Sequence, residues 1–180
     1  MRPIEVDWEV HESQLIVDNH EQFVYDCDLI HNKFKSQYPD KDSTWSYERY
    51  NVFALASPLP LWYDLYSEIS VVVRGYLRNH KQLWMQSWMN FHKANEVLDW
   101  HNHYSPYHGY VSIEPHNTTT VFEGYKIKNQ IGRIYIGPGD RHHKVRVDEE
   151  FDTPRITLGF DVTDRPNPKP SGNWSFMPLL

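Results

Sequence analysis

The pattern of apolar and polar positions changes its period once along this chain. Before residue 80 apolar residues recur at helical spacing. Phe23, Cys27, Ile30 and Phe34 form one stripe, and Leu61, Leu65, Ile69, Val72 and Tyr76 form a longer one. A stripe of that period marks a helix with one buried face. Helices are therefore expected over about 19–38 and about 59–79. Asp18 or Asn19 caps the first, and Ser57-Pro-Leu-Pro60 opens the second. Ile4, Val6 and Trp8 alternate with charged residues, so residues 1–17 read as one or two short strands. Tyr50 to Leu55 reads as another, after a polar turn over 39–46.

From Leu83 onward the period is two. Trp84, Gln86, Trp88 and Asn90 share one face of a strand, and Met85, Ser87, Met89 and Phe91 share the other. Lys93 to Glu96 reads as a turn and Val97 to Tyr104 as the next strand. Further short strands follow at Gly109–Glu114, Thr118–Glu123, Ile131–Ile136, His142–Val147 and Arg155–Val162, separated by Gly, Pro, Asn and Asp. This is the pattern of an antiparallel β-sandwich or barrel. One domain over 1–180 is expected, with a β core at about 83–162, the two helices packed outside it, and a Pro-rich tail extended over the surface.

Charge and cysteine narrow the function classes. The net charge of −6 argues against general nucleic-acid binding. The single cysteine, Cys27, excludes an internal disulfide and fits a reducing, cytoplasmic setting. It lies on the apolar helix face, where a buried core residue is the ordinary reading. No segment approaches the ~18 apolar residues of a membrane helix. The oligomeric state is not fixed by the sequence, so a homo-oligomer stays open.

The chemistry concentrates in the β region, where seven of the eleven histidines fall between residues 92 and 143. His101 and His103, two apart, present two imidazoles to one cavity, and imidazole is a common ligand for divalent transition metals. His143 follows the turn Gly132-x5-Pro138-Gly and shares its strand face with Val145 and Val147. His142 shares the opposite face with Lys144 and Arg146. The apolar face should point inward, so His143 is the third candidate ligand and His142 belongs at the surface. His108 and His116 are weaker candidates, assigned to loops or to the surroundings of the site. On the last strand Arg155, Thr157, Gly159 and Asp161 share a face, away from Ile156, Leu158 and Phe160. A cavity-facing arginine needs an anion. It takes a carboxylate bidentately with Thr157 assisting, or it pairs with an acid in the Asp148–Asp152 loop, and the pattern leaves these even.

Taken together, Trp88-Met-Asn90, His101-x-His103, Gly109-Tyr-Val, the Gly-Pro-Gly turn before His143, and Pro154-Arg155-Ile-Thr157-Leu-Gly-Phe resemble the 2-oxoglutarate/Fe(II)-dependent oxygenases. The nearest pattern is the short group of that superfamily associated with phages and bacteria, and the similarity covers about residues 83–162. The resemblance implies a double-stranded β-helix, a distorted jelly roll with helices on one side. It implies Fe(II) on His101, His103 and His143, and 2-oxoglutarate on Arg155 and Thr157 with Asn90 and Tyr110 as cosubstrate neighbours. It further implies O2 and a second substrate, with decarboxylation to succinate coupled to oxidation of a C–H bond. Two positions depart from the superfamily. A carboxylate is usual where His103 stands, and a serine is usual where His108 precedes Gly109.

Two other classes compete. Pro138-Gly-Asp-Arg-His-His143 also resembles the second motif of the cupins, which would mean a metal protein that uses no 2-oxo acid. The first cupin motif needs a glutamate shortly after His-x-His, and Glu114 is too far along. The remaining class is a non-enzymatic β-sandwich interaction protein with incidental histidines, which metal content would distinguish.

Overall fold

The structure is a computed structural model that describes residues 7–37 (the Phe34 and Gln37 side chains apart), 51–56, 58–79, 81–165 and 175–179. Its elements in chain order are β1 (Glu9–Glu12), α1 (Gln14–Asp18), α2 (His20–Gln37), α3 (Val52–Ala56) and α4 (Pro60–Leu77). They continue with β2 (Trp84–His92), a 3-10 turn (Ala94–Glu96), β3 (Tyr107–Glu114), β4 (Thr118–Phe122), β5 (Tyr125–Lys128), β6 (Arg133–Pro138), β7 (His143–Val147), β8 (Arg155–Thr163) and β9 (Met177–Pro178). Six strands form one sheet in the order β1-β6-β3-β8-β2-β9, and three form a second in the order β5-β4-β7. This is a mainly β jelly roll with flanking helices.

The period-two pattern of β2 and β8 places the site. The two strands pair antiparallel over their full length, from Trp84 opposite Thr163 to His92 opposite Arg155. Met85 and Met89 of β2, with Ile156, Leu158, Phe160 and Val162 of β8, turn to one face. There they pack with Phe23, Cys27, Trp62, Leu65 and Ile69 of the helices. The other face carries Trp88, Asn90, Arg155, Thr157 and Gly159, which line a cavity beneath the small sheet. A smaller apolar cluster of Tyr110, Phe122, Ile127 and Tyr135 lies apart from the helix-facing core.

Several expected elements differ. Residues 51–55 are not a strand. Val52–Ala56 is a short helix, and Tyr50, Ile4, Val6, the 39–46 turn and most of the tail lie outside the described residues. Five apolar residues carry no readable period. Here the buried Asn51 decides, because its Oδ1 accepts from the Phe53 N–H at 3.1 Å as a helix cap does. Among the described residues of the 1–17 segment, Glu9–Glu12 is a strand. Ser13 then caps α1, its Oγ accepting from the Ile16 N–H at 3.3 Å. The segment 97–104 is not a strand either. It lies along β7 through the Val145 N–H to Leu98 carbonyl bond and an isolated bridge of His101 with His143. β5 was not expected. The two-residue turn Glu123-Gly124 makes it a hairpin with β4, and Gly124 supplies the positive φ of 97°.

Candidate metal centre

Backbone bonds, rather than strand pleating, bring His101 and His103 together. The His101 N–H donates to the His143 carbonyl at 3.0 Å, and the His143 N–H returns the bond at 2.9 Å. The His103 N–H donates to the Gly139 carbonyl at 2.8 Å, inside the turn that leads into β7. Gly139 must be glycine here, since a Cβ would stand 2.0 Å from the Ser105 carbonyl oxygen. His103 and His143 are buried and His101 is partly so, whereas His142 is exposed. One ring nitrogen from each of His101, His103 and His143 lies within 4.8 Å of the others.

The second nitrogen of each ring meets an oxygen. His101 Nδ1 donates to the Asp99 carbonyl at 2.7 Å, and His143 Nδ1 to the Arg141 carbonyl at 3.0 Å. His103 Nδ1 lies 3.2 Å from Asp161 Oδ1. These oxygens only accept, so each Nδ1 carries the hydrogen and each Nε2 keeps its lone pair, the tautomer a metal-bound histidine has. His103 Nε2 is buried without a hydrogen-bond partner. An orphaned acceptor of this kind in a cluster of imidazoles fits a divalent transition metal. Burial pulls the pKa of His143 down to about 2, helped by the neighbouring imidazoles, and also lowers that of His101. Both rings are neutral and ready to ligate at physiological pH.

Arg155 lines the same cavity. Its side chain is 3% exposed. Nη1 donates to Thr157 Oγ1 at 3.2 Å and Nε to Thr118 Oγ1 at 3.4 Å. Both partners are neutral, and among the described residues no carboxylate pairs with it. The Asp148–Asp152 alternative is not realised, because Asp148 is held by Lys128 at 2.9 Å and Arg146 at 2.6 Å. Burial pulls Arg155 down to about 10, which leaves it charged. A buried cation whose only partners are neutral hydroxyls lacks the counter-charge that burial normally requires. Asn90 Nδ2 reaches Thr157 Oγ1 at 3.5 Å while its buried Oδ1 has no partner. Tyr110 is buried in the same wall, and its burial raises the phenol pKa.

His108 and Asp161 were underrated by the sequence. Of the two expectations for His108, a loop or the surroundings of the site, the second holds: it sits on β3 directly opposite Asp161 of β8. Its Nδ1 lies 3.0 Å from the oxygen that His103 uses, and its ring stacks on His103 with centroids 3.6 Å apart. Trp88 stacks on both rings, at 5.6 and 5.9 Å. Gly159 opposite Trp88 makes the space, since a Cβ there would meet the indole at 2.3 Å. His116 is in a turn at φ 51°, away from these groups, with Nε2 near the Pro154 carbonyl at 3.3 Å.

No family model matches the sequence, and no curated protein matches it. Solved structures do match in fold. The non-heme alpha ketoglutarate-dependent carbocyclase SnoK from nogalamycin biosynthesis superposes with a TM-score of 0.62 at 9% identity, covering 88% of this chain and 79% of that one. The epimerase SnoN, solved in complex with Fe3+, alpha ketoglutarate and nogalamycin RO, superposes with a TM-score of 0.53 at 9% identity, covering 88% and 79%. The chain therefore has the jelly-roll fold of these enzymes. No helix among the described residues is long and apolar enough to cross a membrane.

Proposed function

We propose that this protein is a 2-oxoglutarate/Fe(II)-dependent oxygenase of the hydroxylase type. The observation that carries the reading is Arg155, a buried guanidinium without a carboxylate partner in the cavity that also holds the three imidazoles. A metal site alone does not call for that cation, whereas a 2-oxo diacid spans both. His101, His103 and His143 would hold the iron through Nε2. Arg155 and Thr157 would take the distal carboxylate, and Asn90 and Tyr110 would line the cosubstrate's flank. The fold likeness to SnoN, solved with Fe3+ and alpha ketoglutarate, supports this choice of metal and cosubstrate.

Bound iron would supply the activation of O2 that couples 2-oxoglutarate decarboxylation to substrate oxidation. The chain's own part is to bind, orient and exclude water. The threonine hydroxyls at 3.2 and 3.4 Å hold the guanidinium fork in place before the carboxylate arrives, so little side-chain freedom is lost on binding. Trp88 stacks on His103 and His108 and covers that side of the site with apolar surface.

The test is turnover of 2-oxoglutarate to succinate with added Fe(II), together with an anaerobic 2-oxoglutarate titration of the metal-loaded protein. Arg155→Ala should leave metal binding nearly intact. It should weaken 2-oxoglutarate by about 1.5–3 kcal/mol, roughly ten- to 150-fold, as loss of a charge-assisted hydrogen bond does. Arg155→Lys should recover only part, because an ammonium cannot make the paired contact. Metal binding without any 2-oxoglutarate binding at millimolar concentration would instead favour the cupin class.

A further inference from the structure

The ligand set leaves one charge unexplained. Three imidazoles bring no negative charge to a divalent ion, yet a fully buried carboxylate stands directly behind one of them. Asp161 is 4% exposed. Its Oδ1 faces Nδ1 of His103 at 3.2 Å and Nδ1 of His108 at 3.0 Å. The two rings are parallel within 7° and share Trp88 as a lid. Two ring nitrogens converge on this one oxygen, which is the acceptor pattern of a carboxylate anion and not of a carboxylic acid.

We propose that Asp161 is the positioning residue of this centre. Its buried carboxylate fixes His103 as the Nδ1–H tautomer and turns Nε2 toward the metal. It also supplies, from behind the ring, the negative charge that the third imidazole removes from the ligand set. His108 serves the same carboxylate from the other side. Stacked on His103, it keeps that ring from rotating, and this explains an imidazole directly before Gly109. The arrangement is a carboxylate–histidine–metal relay, in which a hydrogen bond to the ligand's far nitrogen raises the basicity of the near one. The cluster of His103, His108 and Asp161 could alternatively hold an ion directly. The shared oxygen argues against that, because it is already occupied by two ring N–H donors.

This inference rests on the metal-centre reading of the preceding subsection, and two measurements test it. In the metal-free wild type at pH 8, two-bond 15N–1H correlation should show His103 and His108 as Nδ1–H tautomers, with His108→Gln assigning the second ring. Competition with a chelator for Co(II) should then show Asp161→Asn weakened about ten- to 100-fold, the usual cost of losing such a partner. Circular dichroism should remain that of a folded protein. An Nε2–H tautomer of His103 in the wild type would overturn the proposal, and that measurement needs no variant to fold. So would Asp161→Asn binding Co(II) as tightly as the wild type. Complete loss of Co(II) in Asp161→Asn, with a direct carboxylate ligand in the wild-type absorption spectrum, would make Asp161 a ligand and overturn it equally. A wild type that binds no Co(II) removes the metal-centre reading itself. A wild type that binds Co(II) while Asp161→Asn is unaffected removes only this inference.

Discussion

His142 and His143 are neighbours of identical chemistry, and the alternation of the backbone separates them completely. One is exposed, and the other is buried with its ring centroid 4.3 Å from that of His101 and 5.4 Å from that of His103. His143→Ala should therefore abolish most Co(II) binding while His142→Ala leaves it unchanged, read by equilibrium dialysis. The reverse result would place the ligand on the outer face. The same alternation made Arg155, Thr157 and Gly159 legible as a cavity wall, because their odd-numbered row opposes an unbroken apolar row. It could not reveal the partnership of Asp161 with His108. Those residues are 53 apart, and only the register of β3 against β8 makes them opposite. No local pattern encodes a register between strands so distant.

Among the elements, the two long helices and the long strands were legible because each repeats its period several times. Segments too short to repeat were misread. Val52–Ala56 has five residues, and its structure is set by Asn51 rather than by its own pattern. Asn51 Oδ1 accepts from the Phe53 N–H and from Ser87 Oγ at 2.6 Å, and Nδ2 donates to the carbonyls of Met85 at 2.7 Å and Ser175 at 3.0 Å. One buried amide thus ties α3, β2 and the chain before β9. Asn51→Ala should cost about 2–3 kcal/mol by urea denaturation, since several buried groups lose their partner at once. Asn51→Asp should also destabilise, because a carboxylate cannot donate to the two carbonyls. The segment carrying His101 and His103 shows the opposite case. It was expected as a strand, and its histidines still converge, because single backbone bonds to His143 and Gly139 anchor each one.

At the scale of the whole molecule, buried neutral imidazoles make stability depend on pH. Burial lowers His92 and His108 to about 4 and His143 further, with Arg155 adding to the shift at His92. In the unfolded chain each titrates near ~6.5. Between those values the unfolded state binds more protons than the folded one, so stability falls as pH drops below about 6.5 and is level above it. For His92 alone the loss by pH 5 is about 2 kcal/mol. Thermal melts of the metal-free protein should therefore decline from pH 7 to 5. The metal-loaded protein should decline more steeply, because protons also displace the ion. A melting temperature flat across that range would mean that these imidazoles are already solvated in the folded state.

The order of strands in the large sheet has a consequence for how the chain is made. β8 lies between β2 and β3, although some forty residues of chain separate it from the end of β3. While a ribosome is still extending the chain, β2 and β3 each present an unpaired edge of the kind that invites pairing with the wrong partner. Residues 155–163 end that exposure by sliding into the gap. They also carry Arg155, Thr157 and Asp161. Closure of the barrel and delivery of the buried guanidinium and the carboxylate behind His103 are thus a single event, and an intermediate with β8 undocked would lack both.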